Sequence, residues 1–297
     1  RKRPDQRSFV CASAGNHAQG VAYMCRHFDV TGTIFMPVTT PQQKIQKTKI
    51  FGGENVSIQL VGDYFDDCLK AAQNFCQEKG AHFLSPFDDA DVIEGQASVA
   101  VEIERQLGST PDHIVLPVGG GGLSSGLLSY FGTTSQFTLV EPLGGACLWA
   151  ALIAGKPVKL DKVDTFADGA AVGQIGQRTF ECLKSIGLAN VLRIPEDRIC
   201  ITMLEMLNIE GIVLEPAGAL AIDALKDLGQ MIRGRKVVCV SSGLGSAETF
   251  LQFIERRLTA LAGGAHCRTE GDRTADRQAL YLHLKNIGKD LRDGIIF

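Results

Sequence analysis

Four consecutive glycines, Gly119 to Gly122, separate the apolar run His113–Val118 from the helix-compatible segment Leu127-Leu128-Ser129-Tyr130. Glycine loses more backbone entropy on folding than any other residue, so four in a row are not a packing choice. At a strand-to-helix turn they let backbone N–H groups crowd around an anion, and the helix start behind them adds partial positive charge. A plain tight turn needs one or two glycines, so the stretch from Pro117 to Gly126 reads as a phosphate cradle. The dinucleotide fingerprint does not fit, because it asks for a third glycine where Ser124 or Ser125 stands. Glu141, at the end of the next expected strand, imitates the ribose ligand of that fingerprint and falls with it. No GxxxxGK[ST] occurs either, which leaves a ligand with a single phosphate.

Short β-rich runs alternate with longer helix-compatible ones, the pattern of a parallel-sheet α/β fold with helices on both faces. Strands are expected at Phe9–Ala12, Thr33–Met36, Val56–Leu60, His82–Leu84, His113–Val118, Phe137–Val140, Val191–Ile194 and Lys236–Val240. Helices are expected at Val21–His27, Tyr64–Lys79, Val92–Leu107 and Ala217–Ile232. The chain of 297 residues has room for two domains, and the Ser85–Asp89 stretch suggests a break. The expectation is a smaller α/β domain over 1–86, a larger one over 87–250, and a peripheral tail over 251–297.

Composition narrows the function. With 30 Lys+Arg against 33 Asp+Glu the formal charge is −3, which gives no basic surplus for nucleic acid. The longest apolar stretch, Cys147–Ala154, is far short of the roughly 20 residues of a bilayer span. Nine cysteines form no CxxC pair and several sit in apolar runs, which points to reduced, buried thiols and a cytoplasmic protein. Arg1 reads as the start of a fragment, since neither an initiator Met nor a signal segment precedes it.

Two further glycine turns follow expected strands. Ser13-Ala14-Gly15-Asn16-His17-Ala18-Gln19-Gly20 presents amides that suit a carboxylate and an Asn side chain that suits a ligand hydroxyl. Asn16 as an ordinary N-cap explains one residue of the eight. Ser241-Ser242-Gly243-Leu244-Gly245 ends the last strand. Ligands of parallel sheets sit at the carboxyl ends of strands, so the three turns are candidates for one pocket.

The turns at 13–20 and 117–126, together with the segments at 41–53, 86–96, 166–176 and 215–220, resemble biosynthetic threonine dehydratases from about Ser8 to Gly243. Those are pyridoxal-phosphate (PLP) threonine ammonia-lyases of the tryptophan-synthase-β-like fold, PLP fold type II. The resemblance implies that Gly119, Gly120, Gly121, Gly122 and Leu123 bind the cofactor phosphate and Asn16 its 3′-hydroxyl. It assigns Ser242 to the pyridine nitrogen, and Ser13, Ala14, Gly15, Asn16 and His17 to the substrate carboxylate. The implied reaction is β-elimination from L-threonine to give 2-oxobutanoate and ammonia for isoleucine synthesis, with L-serine as a secondary substrate, in a homo-oligomer.

The family's Schiff-base lysine belongs to a segment expected upstream of Arg1; Lys2, Lys44, Lys47 and Lys49 do not match it. On that expectation no catalytic residue lies in this chain, and the 297 residues alone turn over little or not at all. Leu244, Gly245 and Ser246 depart from the family pattern, and Ala279–Leu282 is similar to a linker towards a regulatory domain. Asp164 and Asp168 read as turn and cap residues, and no metal is expected. Glu215 is either a functional acid or the residue before a helix that opens with Pro216. Two other readings stay open: a serine/threonine dehydratase or racemase of the same fold, and a non-catalytic remnant that binds PLP or phosphate.

Overall fold

The computed structural model describes residues 5–63 and 65–241. In chain order the elements are β1 (Ser8–Ala12), α1 (Asn16–His27), β2 (Thr31–Met36), α2 (Gln42–Gly52), β3 (Val56–Leu60), α3 (Phe65–Lys79), β4 (His82–Phe83), α4 (Ala90–Gln96) and α5 (Ser98–Leu107). They continue with β5 (His113–Pro117), α6 (Gly122–Phe131), β6 (Gln136–Pro142), α7 (Cys147–Ala154), α8 (Gln177–Leu183), β7 (Val191–Ile194), α9 (Glu196–Glu205), α10 (Pro216–Asp223), α11 (Leu225–Leu228) and β8 (Val237–Cys239). The described residues divide into two compact units: 5–106 with 120–131 and 176–183, and 107–119 with 132–175 and 184–241. The Ser85–Asp89 stretch lies inside the first unit.

Each unit holds a four-stranded parallel sheet, ordered β3-β2-β1-β4 in the first and β7-β6-β5-β8 in the second. Parallel neighbours cannot be joined by a tight hairpin, so each step needs a crossover, and helices supply most of them. In both sheets the chain steps outward through three strands, then returns to pair its fourth strand with the other side of the first. The gap between β1 and β4, and that between β5 and β8, is therefore a topological switch point, where loops leaving the strand ends diverge and open a crevice.

Side-chain alternation sets the layers of the first unit. Cys11, Ile34 and Met36 face Ala18, Val21, Ala22 and Cys25 of α1 and Ile45 of α2. Val10, Ala12 and Phe35 face the other way and pack with Cys68 and Ala72 of α3. Helices thus cover both faces, and each buried Ile, Met or Phe contributes about 1.5–3 kcal/mol. In the second unit Val115 and Val140 pack with Ile199 and Met203 of α9 and Ala217, Leu220 and Ala221 of α10.

All eight expected strands form, two with the expected bounds and the others with ends displaced by at most two residues. Three helix expectations need correction. The segment expected as one helix from Val92 to Leu107 is two, α4 and α5, hinged at Ala97, whose N–H is shared between the carbonyls of Ile93 and Glu94. Gly126 of α6 lies directly on that backbone; a Cβ there would stand 2.7 Å from the Ala97 nitrogen. The expected Ala217–Ile232 helix is α10, α11 and a short 3-10 turn, and it opens with Pro216 at its first position. The first helix starts at Asn16, five residues before the expected Val21.

The eight described cysteines are free thiols, while Cys267 lies outside the described residues. No helix among the described residues is long and apolar enough to cross a membrane.

Candidate functional site

The glycine loop leaves the end of β5 and runs straight into α6. Val118 still belongs to the sheet edge, its N–H donating to the Val140 carbonyl at 2.8 Å. The ladder resumes where Ser125 N–H donates to the Gly121 carbonyl at 2.9 Å. Between them, the N–H groups of Gly119, Gly120, Gly121, Gly122 and Leu123 donate to no acceptor among the described residues. A run of unused donors at a helix N-terminus attracts an anion through both hydrogen bonds and the helix dipole.

Packing behind the loop explains why these positions are glycine. A Cβ on Gly120 would lie 2.1 Å from the Phe87 ring, and one on Gly122 would lie 3.1 Å from the Phe87 Cα. Gly121 has φ of +87° and would bring a Cβ within 2.9 Å of Thr179 Cβ. Gly119 is hemmed in by Ala170 and Val172. Protein atoms occupy the side-chain positions of the loop and the donor row is left over, an arrangement that fits a phosphate group.

The second loop follows β1. Gly15 is the N-cap of α1 and carries no side-chain cap, and a Cβ on it would meet open space. Ser13 stitches the turn by accepting from Gly15 N–H at 3.2 Å, and Asn16 is exposed at the first helical position. The N-cap of α1 is Gly15, so Asn16 does not serve as an ordinary N-cap. The N–H groups of Asn16 and His17 have no acceptor among the described residues. His17 Nε2 lies 3.1 Å from the Leu84 carbonyl, bridging the switch point between β1 and the residue after β4. A carbonyl only accepts, so Nε2 carries the proton, and burial pushes the ring pKa down and keeps it neutral.

The third turn is described only as far as Ser241, whose hydroxyl donates to the Gly218 carbonyl at 2.7 Å. Ser242 lies outside the described residues, as do Leu244, Gly245, Ser246 and the tail.

The remaining candidates resolve into local roles. Glu141 is fully buried and caps α7, accepting from Leu148 N–H at 2.7 Å and Trp149 N–H at 2.8 Å. Its oxygens are committed to the fold; burial pushes its pKa up to about 7 against the pull of those donors. Asp164 caps the turn Thr165–Ala167 through Phe166 N–H at 3.0 Å. Lys47 and Lys49 are exposed on α2.

Three residues escaped the sequence reading: Phe87, Asp88 and Thr179. Asp88 accepts from the N–H groups of Gln177, Arg178 and Thr179 at the start of α8. Thr179 is fully buried and donates its hydroxyl to the Gly120 carbonyl at 2.7 Å. The Pro86–Asp89 motif was visible as a run of Phe and two acids, but nothing local to it shows that it backs a loop more than 30 residues later.

Parallel sheets with donor-rich loops at their switch points define a class of α/β protein that holds a phosphorylated ligand over strand ends. The chain belongs to the family described as pyridoxal-phosphate dependent enzymes, whose model matches residues 1–243. It is 44% identical over 260 residues to the biosynthetic L-threonine dehydratase IlvA of Bacillus subtilis, covering 86% of this chain and 61% of that protein. It is 42% identical to the same-named protein of Lactococcus lactis, with coverages of 88% and 65%. The structure of the processed form of threonine deaminase isoform 2 from Solanum lycopersicum superposes with a TM-score of 0.76 at 34% identity, over 87% of this chain and 74% of that one. The fold is PLP fold type II. The chain spans less than two thirds of the length of these two curated relatives.

Proposed function

We propose that the whole protein dehydrates and deaminates L-threonine to 2-oxobutanoate and ammonia, with L-serine as secondary substrate, as a cytoplasmic homo-oligomer. The observation that carries this reading is the row of unused N–H donors from Gly119 to Leu123, in a chain more than 40% identical to two biosynthetic threonine dehydratases. Bound pyridoxal phosphate supplies an electron sink for negative charge at the amino acid's α-carbon.

The chain's own residues hold and orient. The amides of Gly119–Leu123 bind the phosphate, with the α6 N-terminus adding its dipole. The exposed Asn16 side chain serves the ring hydroxyl, and the open space at Gly15 lets a substrate carboxylate approach the amides of Asn16 and His17. Ser13 fixes that turn, and His17 fixes the helix start by its bond to Leu84. By the family resemblance, Ser242 would present its hydroxyl to the pyridine nitrogen. The free thiols support a reducing compartment.

The test is to supply the whole protein with pyridoxal phosphate and L-threonine, L-serine or D-serine in turn. Threonine-dependent 2-oxobutanoate formation, faster than pyruvate formation from L-serine, is the expected result. Interconversion of L- and D-serine exceeding keto-acid release would replace the reading with a racemase, and binding of the cofactor without turnover would replace it with a binding protein.

A further inference from the structure

Thr179 packs against the glycine loop. It is fully buried, and its hydroxyl lies 2.7 Å from the Gly120 carbonyl and 3.2 Å from that of Gly176. The lacing is reciprocal, since Ser125 Oγ donates to the Thr179 carbonyl at 3.4 Å. A trans peptide points its C=O and N–H in opposite directions. Holding the Gly120 carbonyl towards Thr179 therefore aims the Gly121 N–H away from Thr179, and that N–H, like those of its neighbours, donates to no acceptor among the described residues.

The hydroxyl is in turn placed by Asp88. One carboxylate oxygen accepts from Arg178 N–H at 2.7 Å and Thr179 N–H at 3.3 Å, and the other from Gln177 N–H at 3.1 Å. Three donors on one carboxylate pin the turn that carries Thr179. The preceding residue, Phe87, fills the space beside Gly120 and Gly122. Two consecutive residues of one segment thus brace the loop, one by packing and one through Thr179.

We infer that Thr179, set by Asp88, is a positioning residue for the cofactor phosphate: it orients the Gly120–Gly121 peptide so that the loop distinguishes a phosphorylated ligand from its dephosphorylated form. This rests on the glycine loop being the phosphate site. The experiment measures equilibrium binding of pyridoxal phosphate and of pyridoxal to the full chain, and takes the dissociation constant of pyridoxal divided by that of pyridoxal phosphate. Wild type is expected to favour pyridoxal phosphate strongly. Thr179→Val, which keeps the shape and loses the donor, lowers that ratio about tenfold, with the change confined to pyridoxal phosphate. Thr179→Ser keeps it. Asp88→Asn, which leaves the hydroxyl but loosens its turn, lowers the ratio by a smaller factor and carries the test should Thr179→Val not fold. A residue that only supports the fold would weaken both ligands alike, so an unchanged ratio in Thr179→Val, or in Asp88→Asn as its substitute, overturns the inference. A wild type with no preference for the phosphorylated form overturns the phosphate reading and this inference together.

Discussion

Gly121 carries φ of +87°, a conformation that an L side chain occupies at a cost of about 1–2 kcal/mol. Its missing Cβ also spares a 2.9 Å clash with Thr179. Gly121→Ala is therefore expected to lose about 1–3 kcal/mol of stability in urea unfolding, and to bind pyridoxal phosphate more weakly than wild type at equal folded fraction. Glu141 yields a prediction in pH. Its pKa is raised from 4.5 to about 7, chiefly by burial. A carboxyl raised on folding contributes stability that is fully present below the unfolded value near 4.5 and is lost as pH climbs through 7. The difference in unfolding free energy between wild type and Glu141→Gln should accordingly shift against wild type by on the order of 3 kcal/mol from pH 4.5 to 7. A difference that stays flat with pH would place the carboxyl in water.

At the level of elements, strands were the more readable. Val10, Cys11, Ile34 and Phe35 alternate between two helical layers, and such runs stand out in any parallel sheet covered on both sides. Helix ends were less so, because they are set from a distance. Ala97 divides α4 from α5 where Gly126, 29 positions along the chain, presses on its backbone, and no periodicity in 92–107 records that contact. Gly126→Val has only backbone to push against and should destabilise the protein by about 1–3 kcal/mol in chemical denaturation. The candidate site divides in the same way. Its glycine loops were legible because only unusual backbone demands four glycines in succession, whereas Phe87, Asp88 and Thr179 act through packing and capping that leave no local pattern.

Across the whole molecule, two sheets of identical strand order place their switch points at the ends of β1 and β5, and the loop that follows each of these strands carries amides with no acceptor among the described residues. Fold and family follow from that repeat of parallel sheets together with the match over residues 1–243. The central claim is that the amides of Gly119–Leu123 receive the phosphate of the cofactor. Amide proton and nitrogen chemical shifts of the isotopically labelled chain, followed while pyridoxal phosphate is titrated in, test it most directly. The account predicts the largest shifts at Gly119, Gly120, Gly121, Gly122 and Leu123, with pyridoxal leaving those amides in place. Saturable binding of pyridoxal phosphate that leaves these five amides unmoved would contradict it.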